Sequence, residues 1–264
     1  MKFKQIVKSK KFIWGAHPHN PYDFKMGHNN QDIILRVASL NTFYGKAQIL
    51  FDVSLDVDCG EVVVLLGRNG AGKTSTLKSI MGMVSSIYGK IIFKGKPIDG
   101  LPPYKCCAKG LGYVPQNRRV FKRLTVLENL EAGRQPPTKG FAAWTPDRLF
   151  DLFPNLAERR KHLAGMLSGG EQQMLTISRT LMGNPELIIL DEPTEGLAPI
   201  IVDQLSTTIQ RLKSEGISIL MAEQNLNFAR TNCDRAYILY QGRIQHQSPI
   251  AELSQEAYER YCAL

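Results

Sequence analysis

The chain lacks any run of the ~18–20 consecutive apolar residues that a membrane-spanning helix needs. Its longest apolar runs, such as Leu187 to Leu190, have the length of a buried strand. No segment is therefore expected to cross a bilayer. A paired-cysteine pattern is missing as well. The five cysteines, Cys59, Cys106, Cys107, Cys233 and Cys262, are odd in number, fit no metal-ligand spacing and follow no secretory signal. They read as reduced structural thiols, and the adjacency of Cys106 and Cys107 does not by itself make a redox pair. There is no sustained heptad run. Nor is the net positive charge spread evenly along the chain. Of the net charge of +9, six lysines and one acid within residues 1–30 supply +5. A nucleic-acid binder would carry its basic surface across the fold, so no nucleic-acid partner is expected.

What is present suits one sizeable domain with a lobe inserted into it: 264 residues, 43% of them hydrophobic. Residues 1–31 show no helical or strand period and read as a basic, flexible extension, dispensable for the rest. The alternative is an arm for anionic lipid, at roughly 1 kcal/mol per lysine near the surface. His17, His19 and His28 make no convincing metal site.

From Asp32 onward the pattern is regular. Ile33 to Leu40 reads as a strand, 41–46 as a turn, and Phe51 to Val57 as a half-buried antiparallel strand. The apolar run Val62 to Leu66 is a buried strand, followed by a helix from Thr74 to Met83 and a loop containing Gly89. Lys90 to Lys94 is a strand, Pro103 to Lys109 a helix, and Leu111 to Pro115 a strand ending at Gln116. Residues 125–165 turn helical and look like an inserted lobe. Ser168-Gly169-Gly170 precedes a helix to Met182, and Leu187 to Leu190 is a second buried strand. Ile201, Leu205, Ile209 and Leu212 mark one helix face, ended by Gly216. Ile217 to Met221 is another buried strand, a hairpin flanks Gly242, and one last helix spans Ile250 to Cys262. Alternating strands and helices imply an α/β fold with a mainly parallel sheet covered on both faces.

Three stretches carry chemistry. Gly67-Arg68-Asn69-Gly70-Ala71-Gly72-Lys73-Thr74 follows a buried strand and opens a helix, which is the pattern of a phosphate-binding P-loop. Glycines let backbone N–H groups approach a polyphosphate, and the helix start adds positive potential. Lys73 offers a point charge to the outer phosphates, and Thr74, followed by Ser75, offers a hydroxyl to Mg²⁺. Second, Leu187 to Leu190 ends in Asp191-Glu192. This strand is expected to run beside the P-loop strand, so that Asp191 holds Mg²⁺ and Glu192 orients or deprotonates the attacking water. Third, Leu167-Ser168-Gly169-Gly170-Glu171-Gln172-Gln173 is a helix start with two glycines and a serine, another ready anion site.

With the rest of the chain, this third stretch resembles the signature of ATP-binding cassette (ABC) ATPases, with Glu171 in place of the commoner Gln. The resemblance covers about residues 32–264, in the family's order of motifs. It implies a P-loop NTPase fold: a mainly parallel core sheet, an antiparallel β subdomain, and an α-helical subdomain at about 117–167. It also implies ATP and Mg²⁺ as cofactors. Tyr44 matches the aromatic that stacks on adenine. Gln116 matches the glutamine that contacts Mg²⁺ and water and couples to a membrane partner. Two cassettes dimerise head to tail in the family, so Ser168, Gly169, Gly170 and Glu171 would contact ATP held by the partner's P-loop.

Two positions depart from the family pattern. Gln224 stands where a switch histidine is usual, and hydrogen-bonds without carrying a proton as His does. Ala198 stands where an Asp is usual. Two unequal sites are implied, favouring a heterodimer with a second ABC ATPase over a homodimer. The stretches 112–126, 167–175, 191–199 and 223–226 resemble the smaller ATPase subunit of branched-chain amino acid importers. Urea and amide importers are close relatives. Two permease subunits, a periplasmic binding protein and a place on the cytoplasmic face of the bacterial inner membrane are then implied. The helical lobe and Gln116 loop would receive the permease's coupling helix. A soluble ABC ATPase acting on ribosomes or DNA is the reading from another class. A P-loop kinase would leave the signature unexplained.

Overall fold

The computed structural model describes residues 32–85, 87–137 and 142–262. The extension at 1–31 lies outside them. The elements in chain order begin with β1 (Ile33–Tyr44), β2 (Ala47–Asp58), β3 (Val62–Leu66) and α1 (Lys73–Ile80). Then come β4 (Ile87–Phe93), β5 (Lys96–Pro97), α2 (Pro103–Ala108) and β6 (Leu111–Val114). The helices α3 (Val126–Glu131), α4 (Pro146–Leu152) and α5 (Pro154–Glu158) follow, and α6 (Gly169–Leu181) leads into β7 (Leu187–Asp191). The chain continues through α7 (Pro199–Ser214), β8 (Ser218–Glu223), α8 (Leu226–Asn232), β9 (Arg235–Tyr240), β10 (Arg243–Pro249) and α9 (Gln255–Cys262). Among the described residues, no helix is long and apolar enough to cross a membrane.

The main sheet has the order β10-β9-β3-β8-β7-β6 and the smaller one β2-β1-β4-β5. In the main sheet β9, β3, β8, β7 and β6 are parallel, and only β10 turns back. Strands buried on both faces read as continuous apolar runs. The side chains of β3 show why. Val62, Val64 and Leu66 enter one core, while Val63 and Leu65 enter the other. Ile188 and Leu190 of β7 divide from Leu187 and Ile189 in the same way. The first core is closed by helices, including Leu175 and Ile177 of α6 and Leu205 and Ile209 of α7. The second is closed by the antiparallel sheet and by Leu77 and Ile80 of α1.

Four sequence expectations need correction. Strand β7 does not neighbour β3, because β8 lies between them. Strand order is set by the crossovers, and local sequence does not carry it. Residues 41–44 are not a turn but the end of β1. Register shifts against β2 interrupt the alternation, and Thr42 is buried with its hydroxyl 2.9 Å from that of Ser79. Gly89 lies inside β4 rather than in a loop, opposite a break in register between Ala38 and Asn41. The last helix is broken. Ile250–Glu252 forms a 3₁₀ turn anchored by buried Ile250 and Leu253. Helix α9 then starts afresh, with Ser254 Oγ accepting from the Ala257 N–H at 3.0 Å.

Between β6 and α6 the short helices are held by local chemistry. Thr125 and Glu128 form a capping box, with Glu128 Oε2 accepting the Thr125 N–H at 2.7 Å. Asn129, fully buried, accepts from the Phe121 N–H at 2.9 Å and donates to the Thr125 carbonyl at 2.9 Å. Arg179 of α6 donates to the same Asn129 oxygen, which ties the lobe to the core.

Candidate nucleotide site

The loop from Gly67 to Gly72 joins β3 to α1 and is packed against β9 and β2. A side chain at Gly67 would place its Cβ 2.4 Å from the Leu239 carbonyl oxygen. Gly72 has φ +111 and would meet Leu50 at 2.7 Å. These positions accept only glycine. Gly72 caps α1 without a side-chain hydrogen bond, so no side chain covers the first N–H groups of the helix.

Lys73 opens α1 and is buried. Its Nζ donates to the Gly67 carbonyl at 2.7 Å and the Arg68 carbonyl at 3.1 Å, and lies 2.9 Å from Glu192 Oε1. Thr74 donates its hydroxyl to Asp191 Oδ1 at 2.8 Å. Tyr113, at the end of β6, donates to Asp191 Oδ2 at 2.9 Å. Burial raises the Asp191 carboxyl above its ordinary value, against the pull of those two hydroxyl bonds. Burial and the Asp191 charge likewise push the Tyr113 phenol up. Hard oxygens in this cluster, Thr74 Oγ1 and Asp191 Oδ1, are donors that suit Mg²⁺ rather than a soft metal.

Glu192 is the meeting point. Its φ is +47, a left-handed backbone uncommon outside glycine, and its N–H donates to the Ala222 carbonyl at 3.0 Å. Oε1 faces Lys73, while Oε2 accepts from Gln116 Nε2 at 3.3 Å and from Gln224 Nε2 at 3.3 Å. The Gln224 amide also donates to Asn69 of the P-loop at 2.8 Å. Gln116 additionally donates to Glu195. Its amide is thus tied to Glu192 and Glu195 rather than to Thr74 or Asp191.

The other candidate residues are placed differently. Tyr44 stands exposed at the β1–β2 turn. Ser75 lies in the first turn of α1, where its carbonyl accepts from Ser79 Oγ at 2.7 Å. Ser168 and Glu171 form the capping box of α6, with the Ser168 N–H donating to Glu171 Oε2 at 2.8 Å. Glu171 also pairs with Arg159 at 2.7 Å. Gly169 and Gly170 lie close to Arg118 and Ile201. Among the described residues, no hydrogen bond or ion pair joins 168–171 to Lys73, Thr74, Asp191 or Glu192.

Sequence reasoning missed Tyr113, and it gave Glu223 no role of its own. Both stand at carboxyl ends of parallel strands, on the edge where open α/β sheets bind ligands. Glu223 ends the apolar strand β8 as Asp191 ends β7, and it sits in register with Leu66 of β3. That strand-end acid was the available signal.

A family model described as ABC transporter matches residues 50–195. BraG of Pseudomonas aeruginosa, a high-affinity branched-chain amino acid transport ATP-binding protein, is 46% identical over 80% of this chain and 91% of its own. The lipopolysaccharide export system ATP-binding protein LptB of Haemophilus influenzae is 39% identical, over 80% and 88%. A solved nucleotide-free ATP-binding cassette from an ABC transporter superposes with a TM-score of 0.72 at 27% identity, covering 87% of this chain and 94% of that one. A P-loop, a strand-end acid pair and a signature helix on one α/β frame agree with these matches: the chain belongs to the ABC transporter family, as an ATP-binding subunit that hydrolyses ATP.

Proposed function

We propose that this subunit drives import of branched-chain amino acids. The observation that carries the reading is the 46% identity with BraG, against 39% for the LptB protein. A branched-chain relative from Archaeoglobus fulgidus, 36% identical over 87% of the chain, supports it. In this reading Lys73 and the loop N–H groups hold the ATP phosphates, and Tyr44 stacks on the adenine. Thr74 and Asp191 hold Mg²⁺, which offsets phosphate charge when bound. Glu192 orients and deprotonates the attacking water, with Gln116 and Gln224 fixing its carboxylate. Ser168 to Glu171 close over ATP on a second ABC ATPase. The pair would serve two permease subunits, fed by a periplasmic binding protein, at the cytoplasmic face of the inner membrane.

The likeness to LptB favours a second reading, in lipopolysaccharide export. Uptake of labelled leucine in a deletion strain separates the two. Loss of uptake, restored by this chain but not by Lys73→Ala, supports import. Unchanged uptake with defective lipopolysaccharide export reverses the assignment.

A further inference from the structure

The Gln224 backbone is held on both sides of its Cα. Its N–H donates to Glu223 Oε2 at 3.0 Å, and its carbonyl accepts from the Tyr258 hydroxyl of α9 at 2.7 Å. Its side chain then reaches Asn69 and Glu192. Glu223 is buried, and both its oxygens are used. Oε1 accepts from the Thr194 N–H at 3.1 Å and the Thr194 hydroxyl at 2.7 Å. Oε2 also accepts from the Asn225 N–H at 3.4 Å. Thr194 lies two residues beyond Glu192, in the loop that carries that carboxylate into the site.

We propose that Glu223 and Tyr258 are positioning residues for ATP hydrolysis: together they hold the Gln224 backbone, and Glu223 locks it to the loop that carries Glu192. This rests on the reading that Gln224 and Glu192 act in hydrolysis. A side chain works within about an ångström of its productive place, and a misplacement of that size costs up to about a hundredfold in rate. Two bonds, one to the peptide on each side of the Gln224 Cα, fix the origin of its side chain. Glutamine at 223 would not substitute. Its amide oxygen would still serve Thr194, but its NH₂ would face the N–H groups of Gln224 and Asn225, donor against donor. Helix α9 thereby gains a part in the reaction, although its own residues lie outside the cluster around Glu192.

The test uses the purified full chain and steady-state ATP hydrolysis. Tyr258→Phe removes one hydroxyl and keeps the ring. It is expected to lower kcat by about three- to tenfold, the worth of one hydrogen bond, with KM for ATP changed by less than about twofold. Glu223→Gln is expected to lower kcat at least as much. In a Gln224→Ala background, Tyr258→Phe is expected to cost nothing further, because the group it positions is gone. A purely structural tyrosine would lower the melting temperature and leave the kcat of the folded fraction unchanged. Full kcat in Tyr258→Phe, or losses that multiply in the double variant, overturns the proposal. If Gln224→Ala alone leaves kcat intact, the reading of Gln224 fails and takes the proposal with it. If Gln224→Ala lowers kcat while Tyr258→Phe does not, only the positioning role fails.

Discussion

Lys73 Nζ and Glu192 Oε1 lie 2.9 Å apart, with 3% and 6% of their side chains exposed. The cation of the P-loop and the carboxylate at the end of β7 form one buried pair, across the full width of β8. Removing one member of such a pair leaves the other charge uncompensated, at a cost of about 3 kcal/mol. Lys73→Ala is therefore expected to abolish ATP binding and to destabilise the fold. The double variant Lys73→Met with Glu192→Gln should recover most of that stability without recovering nucleotide affinity. Urea unfolding and calorimetric titration with ATP read the two effects separately. ATP affinity retained in Lys73→Ala would remove Lys73 from the phosphate site.

Glu192→Gln keeps the shape of the side chain and an oxygen for Gln116 and Gln224 to donate to, but removes the charge that pairs with Lys73 and the carboxylate proposed as the base. Loss of a positioned general base costs about a hundred- to ten-thousandfold in rate. The variant is expected to bind ATP and to accumulate as an ATP-bound dimer, visible by size-exclusion chromatography. Undiminished hydrolysis would place the active base on another group or another subunit.

The parts of this arrangement differ in how far sequence reveals them. Val62 to Leu66 and Leu187 to Leu190 are legible because burial on both faces leaves no polar position to interrupt the run. Gly72 and Lys73 are legible because the loop geometry tolerates few alternatives. The interposed β8 is not legible, since a crossover can place a strand at either edge of its predecessor. The end of β1 is hidden because its buried threonine is satisfied by Ser79, a residue of α1 distant in the chain. Glu223 is half legible: its strand-end place shows, but its ties to Thr194 require the fold.

Ala198 sits at the N-cap of α7 with extended backbone, and its side chain caps nothing. Pro199 already sets the first helical position. An acidic side chain there could accept from the first turn and would complement the helix dipole. Ala198→Asp is expected to stabilise the protein by about 1 kcal/mol, a rise in melting temperature of about 2–4 °C for a domain of this size. Differential scanning calorimetry checks it. A fall in melting temperature would mean that the aspartate meets repulsion in the Glu195 loop that outweighs the cap.

Burial raises the Glu223 carboxyl above its ordinary 4.5, against the opposite pull of its bonds from Thr194, Gln224 and Asn225. The folded protein therefore keeps this proton at pH values where the unfolded chain has released it. Stability from this group is complete below 4.5 and is lost as pH rises through the raised value. Glutamine does not titrate in this range, so Glu223→Gln lacks that decline. The stability advantage of the native chain over the variant is expected to shrink as pH rises above 4.5. Urea unfolding of both proteins across a pH series measures the difference directly and cancels every group they share. An advantage that grows with pH would mean that the four donors around Glu223 outweigh its desolvation. The carboxylate would then be held charged, and its grip on Thr194 and Gln224 would be strongest where the enzyme works.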